Sequence, residues 1–338
     1  MKKVLISFIL MVFTLSFPLF TYGQENVSPI TVYPVLPENQ IGQQTYYHLS
    51  VEPGQEQTIY IEVDNVSNDE QHVMLTAVDS FTGPQGGILY EEEMDPSISR
   101  LLYPDLALSN FLSIPEEVTI APGETERIPI ELEVPTIESG TMIGAVRILA
   151  IGTDEDEGEI DQEDIANVTI RNRISFITAI QLDLPDQPEA NFSFGEVGTR
   201  TAPTGTELVV EMTNDAQMIL RGTTGTYEVE FEGEQLFAGE WDEFTMVPNS
   251  QISFPVLWEA DELAPGEYTV RLQANVLGKE INEIRTFTIE REQAREHEQQ
   301  QQQDVITETA IPWWVWVLGA VLLVVVFAVA FLLGRRKT

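Results

Sequence analysis

Arg127-Ile128-Pro129-Ile130-Glu131-Leu132-Glu133-Val134 places a large aliphatic side chain at every second position from Ile128 onward. A helix would scatter that set around its axis. A pleated strand gathers Ile128, Ile130, Leu132 and Val134 onto one face. The same period of two returns at Thr58-Ile59-Tyr60-Ile61-Glu62-Val63, Glu207-Leu208-Val209-Val210-Glu211-Met212, Tyr227-Glu228-Val229-Glu230-Phe231 and Tyr268-Thr269-Val270-Arg271-Leu272-Gln273. β-Branched and aromatic residues dominate the apolar positions, as half-buried antiparallel strands require. No capped stretch of helical period precedes residue 290. Short strands divided by Pro, Gly, Asn and Asp predict an all-β chain of immunoglobulin-like sandwiches.

Two phrases recur between the strands. Glu52-Pro53-Gly54-Gln55, Ala121-Pro122-Gly123-Glu124, Val247-Pro248-Asn249-Ser250 and Ala264-Pro265-Gly266-Glu267 share a turn in which Pro presets φ and the next residue accepts a positive one. Val63-Asp64-Asn65 and Met212-Thr213-Asn214 each end a strand on Asn, ahead of such a turn. The repeat predicts two related sandwiches in tandem. Met142 to Ile151 and Asn167 to Leu184 read as one hairpin closing the first domain, residues 24–185, with the second at 186–290. The competing boundary near residue 160 gives the second strand of that hairpin to the second domain.

The ends of the chain read as targeting segments. Met1-Lys2-Lys3, an apolar run from Val4 to Phe20 and Thr21-Tyr22-Gly23 make a secretory signal peptide over residues 1–23. An uncleaved first transmembrane helix is the alternative, which Pro18 opposes. Trp313 to Leu333 carries no charge and, as a helix, is long enough to cross a hydrocarbon core of ~30 Å. Trp313, Trp314 and Trp316 mark its outer interface, and Arg335-Arg336-Lys337 hold the end inside. The expected layout is a polar stalk at 291–311, a transmembrane helix at 312–333 and a cytoplasmic basic tail at 334–338, with both sandwiches outside the cell. A Leu-Pro-x-Thr-Gly sorting motif is absent ahead of the apolar stretch, where Ile306-Thr307-Glu308-Thr309-Ala310 stands. That favours a retained anchor over a covalent wall linkage.

Charge narrows the partners. None of the 55 acidic residues lies in the signal or the anchor, while five of the 17 Lys and Arg do, so the exported part balances 12 cations against 55 anions, a net −43. Lys279 is its only lysine. Such a field excludes nucleic acid and repels anionic lipids and polymers. There is no cysteine, so hydrophobic cores carry the stability of an exported chain that uses no disulfide.

Catalytic and metal chemistry find no support. His48, His72 and His297 are far apart in sequence and form no helical i, i+4 pair, and no Gly-x-Ser-x-Gly, Gly-x-x-x-x-Gly-Lys or Gly-x-Gly-x-x-Gly is present. A carboxylate glycosidase would need two inward acids facing one cleft. The acidic run Asp154 to Asp164 is not an EF-hand, because Gly158 stands at a ligand position and Glu159 where glycine belongs. It reads as a solvated loop. The expectation is a binding protein with no catalytic residue, no cofactor and no metal.

A family resemblance now becomes visible. Val32-Tyr33-Pro34-Val35-Leu36-Pro37-Glu38-Asn39-Gln40, Tyr46-Tyr47-His48-Leu49, Gly86-Gly87-Ile88-Leu89-Tyr90 and Gly140-Thr141-Met142-Ile143-Gly144-Ala145 resemble the WxL-interacting proteins of Gram-positive bacteria. In the second half, Phe192-Ser193-Phe194-Gly195-Glu196-Val197, Leu220-Arg221-Gly222, Trp258 and Pro265-Gly266-Glu267-Tyr268 continue it. The resemblance implies a membrane-anchored surface scaffold with a peptidoglycan-binding first domain, a second domain for a host or matrix ligand, and a WxL-domain protein as partner. With a net −43, wall binding needs neutral glycan contacts or bridging cations. Asn39 and Gln40 are candidate amide contacts to such a sugar, and Tyr46 and Tyr47 candidate aromatic ones. The competing reading ends a strand at Asn39-Gln40 and packs both tyrosines in the sandwich. An alternative function from another class is a chaperone-like or sensory module that takes a partner strand at a sheet edge, with the open edge in the hairpin around Ile143 to Ile180.

Overall fold

The computed structural model describes residues 28–151, 174–203, 205–260, 263–295 and 316. The expected signal peptide and acidic loop lie outside these residues, as do the stalk beyond residue 295 and the transmembrane helix apart from Trp316. Among the described residues no helix is long and apolar enough to cross a membrane.

The described residues form eighteen strands in chain order. The first eleven are β1 (Ile30–Val35), β2 (Tyr47–Ser50), β3 (Glu56–Asn65), β4 (Gln71–Thr82), β5 (Ile88–Glu91), β6 (Ser99–Leu101), β7 (Leu112–Ser113), β8 (Glu117–Ile120), β9 (Thr125–Glu133), β10 (Thr141–Ile151) and β11 (Ser175–Asp183). Then come β12 (Phe192–Ala202), β13 (Gly205–Asn214), β14 (Leu220–Phe231), β15 (Glu234–Met246), β16 (Ser250–Leu257), β17 (Gly266–Val276) and β18 (Lys279–Ile289).

In the first half, sheet β1-β3-β9-β7 faces sheet β2-β11-β10-β4-β5, with β8 also on β4. Alternate residues of both fill the space between them: Ile59, Ile61 and Val63 from β3, Ile128, Ile130 and Leu132 from β9, Val146 and Ile148 from β10, Ile180 and Leu182 from β11. In the second half, β12-β13-β16-β6 faces β15-β14-β17-β18 over an aromatic core of Phe192, Phe194, Trp241, Phe254, Trp258 and Tyr268. Tyr268 stacks on Phe287 at 5.2 Å and Trp258 meets it edge-on at 5.4 Å. Helical residues 291–295 follow β18, with Ala294 buried against this core.

The turn phrases fold as their chemistry requires: Gly54 and Gly123 both sit at φ +73° and Asn249 at +49°. Both strand-ending asparagines are buried and tie their strand to the loop that follows. Asn65 Nδ2 donates to the Asp69 and Ile120 carbonyls, and Asn214 Nδ2 to those of Met218 and Val247.

Strand β11 pairs antiparallel with β10 and parallel with β2, so it is hydrogen-bonded into the first sandwich. One strand crosses the other way. The excursion between β4 and β7 carries β6 onto β16 of the second sandwich, pairing Ser99 with Ile252 and Leu101 with Ser250. Backbone bonds extend that seam, from Ser253 N to Ile98 O at 2.9 Å and from Leu102 N to Asn249 O at 2.7 Å. Buried Thr82 meets Ser250 Oγ at 2.8 Å and accepts from Val247 N, and Thr141 N donates to Gln217 O. The two modules share a sheet through β6.

Candidate functional site: an open sheet edge beside a clamped strand

The loop before β2 holds the residues singled out for sugar contact, and their polar atoms turn mostly inward. Asn39 Nδ2 donates to Ser50 O and Gln57 Oε1, and Gln57 Nε2 returns a bond to Asn39 Oδ1. Gln40 Nε2 donates to Tyr46 O while its Oε1 accepts from His48 N. Backbone bonds from Ile41 N to His48 O and from Ser50 N to Asn39 O lay this loop along β2 and close its outer edge. Tyr47 is fully buried, and its hydroxyl donates to the Tyr60 carbonyl. Burial drives that hydroxyl far above the usual phenol range. Tyr47 therefore presents no surface to a ligand. Tyr46, half-buried, stacks on His48 with ring centroids 6.4 Å apart.

His48 and Asp183 clamp β2 to β11. His48 Nε2 lies 2.6 Å from Asp183 Oδ2, and Asp183 Oδ1 accepts from Thr141 Oγ1 and Gln181 Nε2. Burial alone would raise the Asp183 pKa; the bonds from His48, Gln181 and Thr141 outweigh it and leave the carboxyl below its ordinary value. On the other side of the same sheet, the Tyr90 hydroxyl is pushed up to about 12 by burial and by Tyr46, with Arg221 of the second module opposing.

The clamp stops abruptly. Strand β2 pairs only with Ile180–Asp183, so Ser175 to Ala179 of β11 has no partner on that side among the described residues. Phe176 leans on the core, Thr178 is buried and Ile177 stands 42% exposed on the outer face. Unpaired strands invite association, and proteins blunt them with proline, charge or cover. The other edges here are blunted. Pro34 interrupts β1, Pro129 interrupts β9, and Pro255 guards the part of β16 that β6 leaves bare. Arg285 donates to the Phe194 and Gly195 carbonyls along β12, and Arg147 to Tyr90 O along β5. Strand β15 carries Glu234, Glu240, Asp242 and Glu243, and β18 carries Lys279, Glu280 and Glu283. Ser175 to Ala179 has none of these devices.

The expected open edge in the hairpin around Ile143 to Ile180 is thus found in one of its arms only. Strand β10 is interior, paired by β11 and β4. Pattern reading missed the clamp, because His48 and Asp183 are 135 residues apart and only the parallel β2–β11 pairing brings them together. Among the described residues no group of acidic and imidazole side chains is arranged to hold a metal ion.

These features define a tandem β-sandwich protein with one unguarded strand edge among the described residues. Residues 30–150 match the family described as WxL Interacting Protein, peptidoglycan binding domain, and residues 166–299 that described as WxL Interacting Protein, host binding domain. The chain belongs to the WxL-interacting protein family. It is a non-enzymatic module of the cell surface with a WxL- and peptidoglycan-related adhesion role. No curated protein matches the chain. Among solved structures, a chaperone–tip adhesin pre-assembly complex of the Csu pili of Acinetobacter baumannii is 8% identical, with a TM-score of 0.36, over 75% of this chain and 97% of that one. A complex of SafA pilin with the SafB chaperone of Salmonella enterica is 10% identical, with a TM-score of 0.29, over 77% and 96%.

Proposed function

We propose that this chain is a membrane-anchored adaptor that holds peptidoglycan through neutral glycan contacts and a WxL-domain protein by strand addition to β11. The anchor is the apolar stretch at 312–333, with the basic tail in the cytoplasm and residues 24–311 outside; the second module faces a host or matrix ligand. The unguarded edge from Ser175 to Ala179 carries the protein-binding half of this reading. An incoming strand would gain main-chain hydrogen bonds there, and the alternation of Phe176, Ile177 and Thr178 would select its side chains. A net −43 over the exported part favours a strand flanked by Lys or Arg. For the glycan half, Tyr46 is the accessible ring of the four candidates, with Asn39 and Gln40 shaping its loop and Tyr47 supporting it from the core.

The test is capture of a purified WxL-domain protein by the full-length protein in detergent micelles, with retention on isolated wall sacculi measured in parallel. Ile177→Lys adds a charge to the open edge at an exposed position. Capture of the protein partner should weaken at least tenfold while retention on sacculi is unchanged. Equal capture by the variant and the parent would exclude strand addition at this edge. No retention on sacculi above a charge-matched control would exclude the glycan half.

A further inference from the structure

The sheet on the far side of the first sandwich from β11 carries a second surface, built across its flat outer face. The strand registers align Tyr33 with Glu62 and Glu62 with Arg127 in one row, and Val35, Tyr60 and Pro129 in the next. Tyr33 is 54% exposed and Leu36, just past the end of β1, is 41% exposed. The Arg127 guanidinium lies 4.3 Å above the centre of the Tyr60 ring. Five other arginines of the sandwiches are committed among the described residues, and Arg221 is not: Arg100 pairs with Glu211, Arg147 with Glu91 and Glu92, Arg200 with Glu207, Arg271 with Glu230 and Arg285 with Glu283. Arg127 ion-pairs with no carboxylate among the described residues, although Glu62 is its register partner.

We infer that this face is a glycan-binding surface of the first module, taking a neutral, hydroxyl- or acetamido-bearing sugar laid across Tyr33, Glu62 and Arg127. The inference rests on the glycan half of the proposed function and adds to the Tyr46 loop a second contact face on the other sheet. A guanidinium stacked on a ring is held flat with its N–H edge free, so little rotamer freedom is lost when it donates to a ligand oxygen. Glu62, half-buried on the neighbouring strand, supplies the complementary acceptor for a hydroxyl. Tyr33 and Leu36 offer apolar surface to the C–H face of a pyranose ring, in the pattern of apolar lining with few placed polar groups. Charge selects the class. One cation beside Glu62, Asp64 and Glu131, in a chain this acidic, repels polyanions and leaves a neutral sugar as the occupant. Proline on β1 and β9 removes the strand-addition alternative along this sheet, so a ligand meets its face and not its edge.

The test compares the full-length protein in micelles with its Tyr33→Ala, Arg127→Lys and Tyr46→Ala variants, on sacculi and with the neutral N-acetylglucosamine tetramer followed by NMR titration. Arg127→Lys keeps the charge and removes the planar fork, and thermal unfolding confirms that each variant is folded. Tyr33→Ala and Arg127→Lys should each weaken retention and tetramer affinity about tenfold or more, and each by more than Tyr46→Ala does. Hyaluronan, an anionic polymer of related sugars, should not bind. If the parent binds and both variants bind equally well, or only Tyr46→Ala loses binding, the face is overturned while the glycan reading stands. A parent that binds neither sacculi nor tetramer overturns both together.

Discussion

Two strand edges in this protein meet the same hazard in opposite ways. Strand β16 borrows β6 from the other module and hides its remaining length behind Pro255. Strand β11 is held by β2 over Ile180–Asp183 and left bare from Ser175 to Ala179. Neither edge is long, and the apolar content of the two strands is similar. The filled edge ties the modules into one body; the bare edge is the place where that body has pairing capacity left. The contrast teaches that strand addition is already part of how this chain holds itself together, and it marks where an outside strand would continue the pattern.

The filled edge can be broken from a distance. Gly86 sits at φ +87° where the excursion toward β6 begins, and a Cβ there would overlap Phe244 of the second module. Gly86→Val adds a left-handed backbone penalty to overpacking at a joint that also carries the bond from Gly87 N to Thr245 O. The expected loss is roughly 3 kcal/mol or more. Urea unfolding should show it as a lower midpoint or as two separated transitions, and the Ser253 amide, which donates to Ile98 O, should lose its hydrogen-exchange protection. A variant that unfolds as one unit at the parent's midpoint would mean that the seam contributes nothing to the joint.

Legibility in the sequence divides along the same line. Local rules made the strands readable: the alternation at 127–134, the Pro-Gly corners and the paired asparagines all depend on neighbours within a few residues. Long-range pairing was not readable. Nothing near Ser99-Arg100-Leu101 announces that it adds to β16, because a three-residue strand carries no period and its partner lies 150 residues away. Strand β11 is legible as a strand and ambiguous in allegiance. The hairpin reading attaches it to β10, and so do its hydrogen bonds, while the family match to the second domain already begins at residue 166. Of the four sugar-contact candidates, Tyr47 failed as a surface residue for a physical reason. Period two puts Tyr47 and Leu49 on the inner face, and nothing local shows which of two adjacent tyrosines points inward.

The paired asparagines sharpen the comparison by acting as a control common to both modules. Each spans a strand end and a loop with two donated bonds, but their acceptor atoms differ. Asn65 Oδ1 accepts from Ser67 N at 3.0 Å and from Ser67 Oγ at 2.7 Å, whereas Asn214 Oδ1 is buried without a partner among the described residues. Alanine at either position takes the donor from one buried carbonyl, of Ile120 or Val247, and from one more open carbonyl, at about 1–3 kcal/mol. Asn65→Ala should cost more, by about 1 kcal/mol, because it also removes bonds that are satisfied, while Asn214→Ala relieves an unsatisfied oxygen. Chemical denaturation of the two single variants measures the difference, and equal losses would show that the Ser67 bonds add nothing.

The smallest effect tests the boundary between paired and bare β11, through the charge that sets it. Asp183 holds His48 across the β2–β11 pair, and its carboxyl lies below its ordinary value because the bonds from His48, Gln181 and Thr141 exceed the cost of burial. A depressed folded value means that the stabilisation is complete above the unfolded carboxylate value near ~3.9 and is lost as pH falls through the lower folded one. Protonation weakens the clamp without touching the core, since Ile180 and Leu182 stay buried on the other face of β11. Amide exchange at Ile180–Asp183, measured against the β3–β9 ladder as an internal reference, should hold steady above pH ~4 and loosen below it. Asp183→Asn should reproduce that loosening at neutral pH and lengthen the bare edge toward Asp183. Because the clamp limits how far an added strand can extend, the same variant should capture a partner strand at least as well as the parent. Weaker capture would mean that the clamp shapes the edge and does not merely end it.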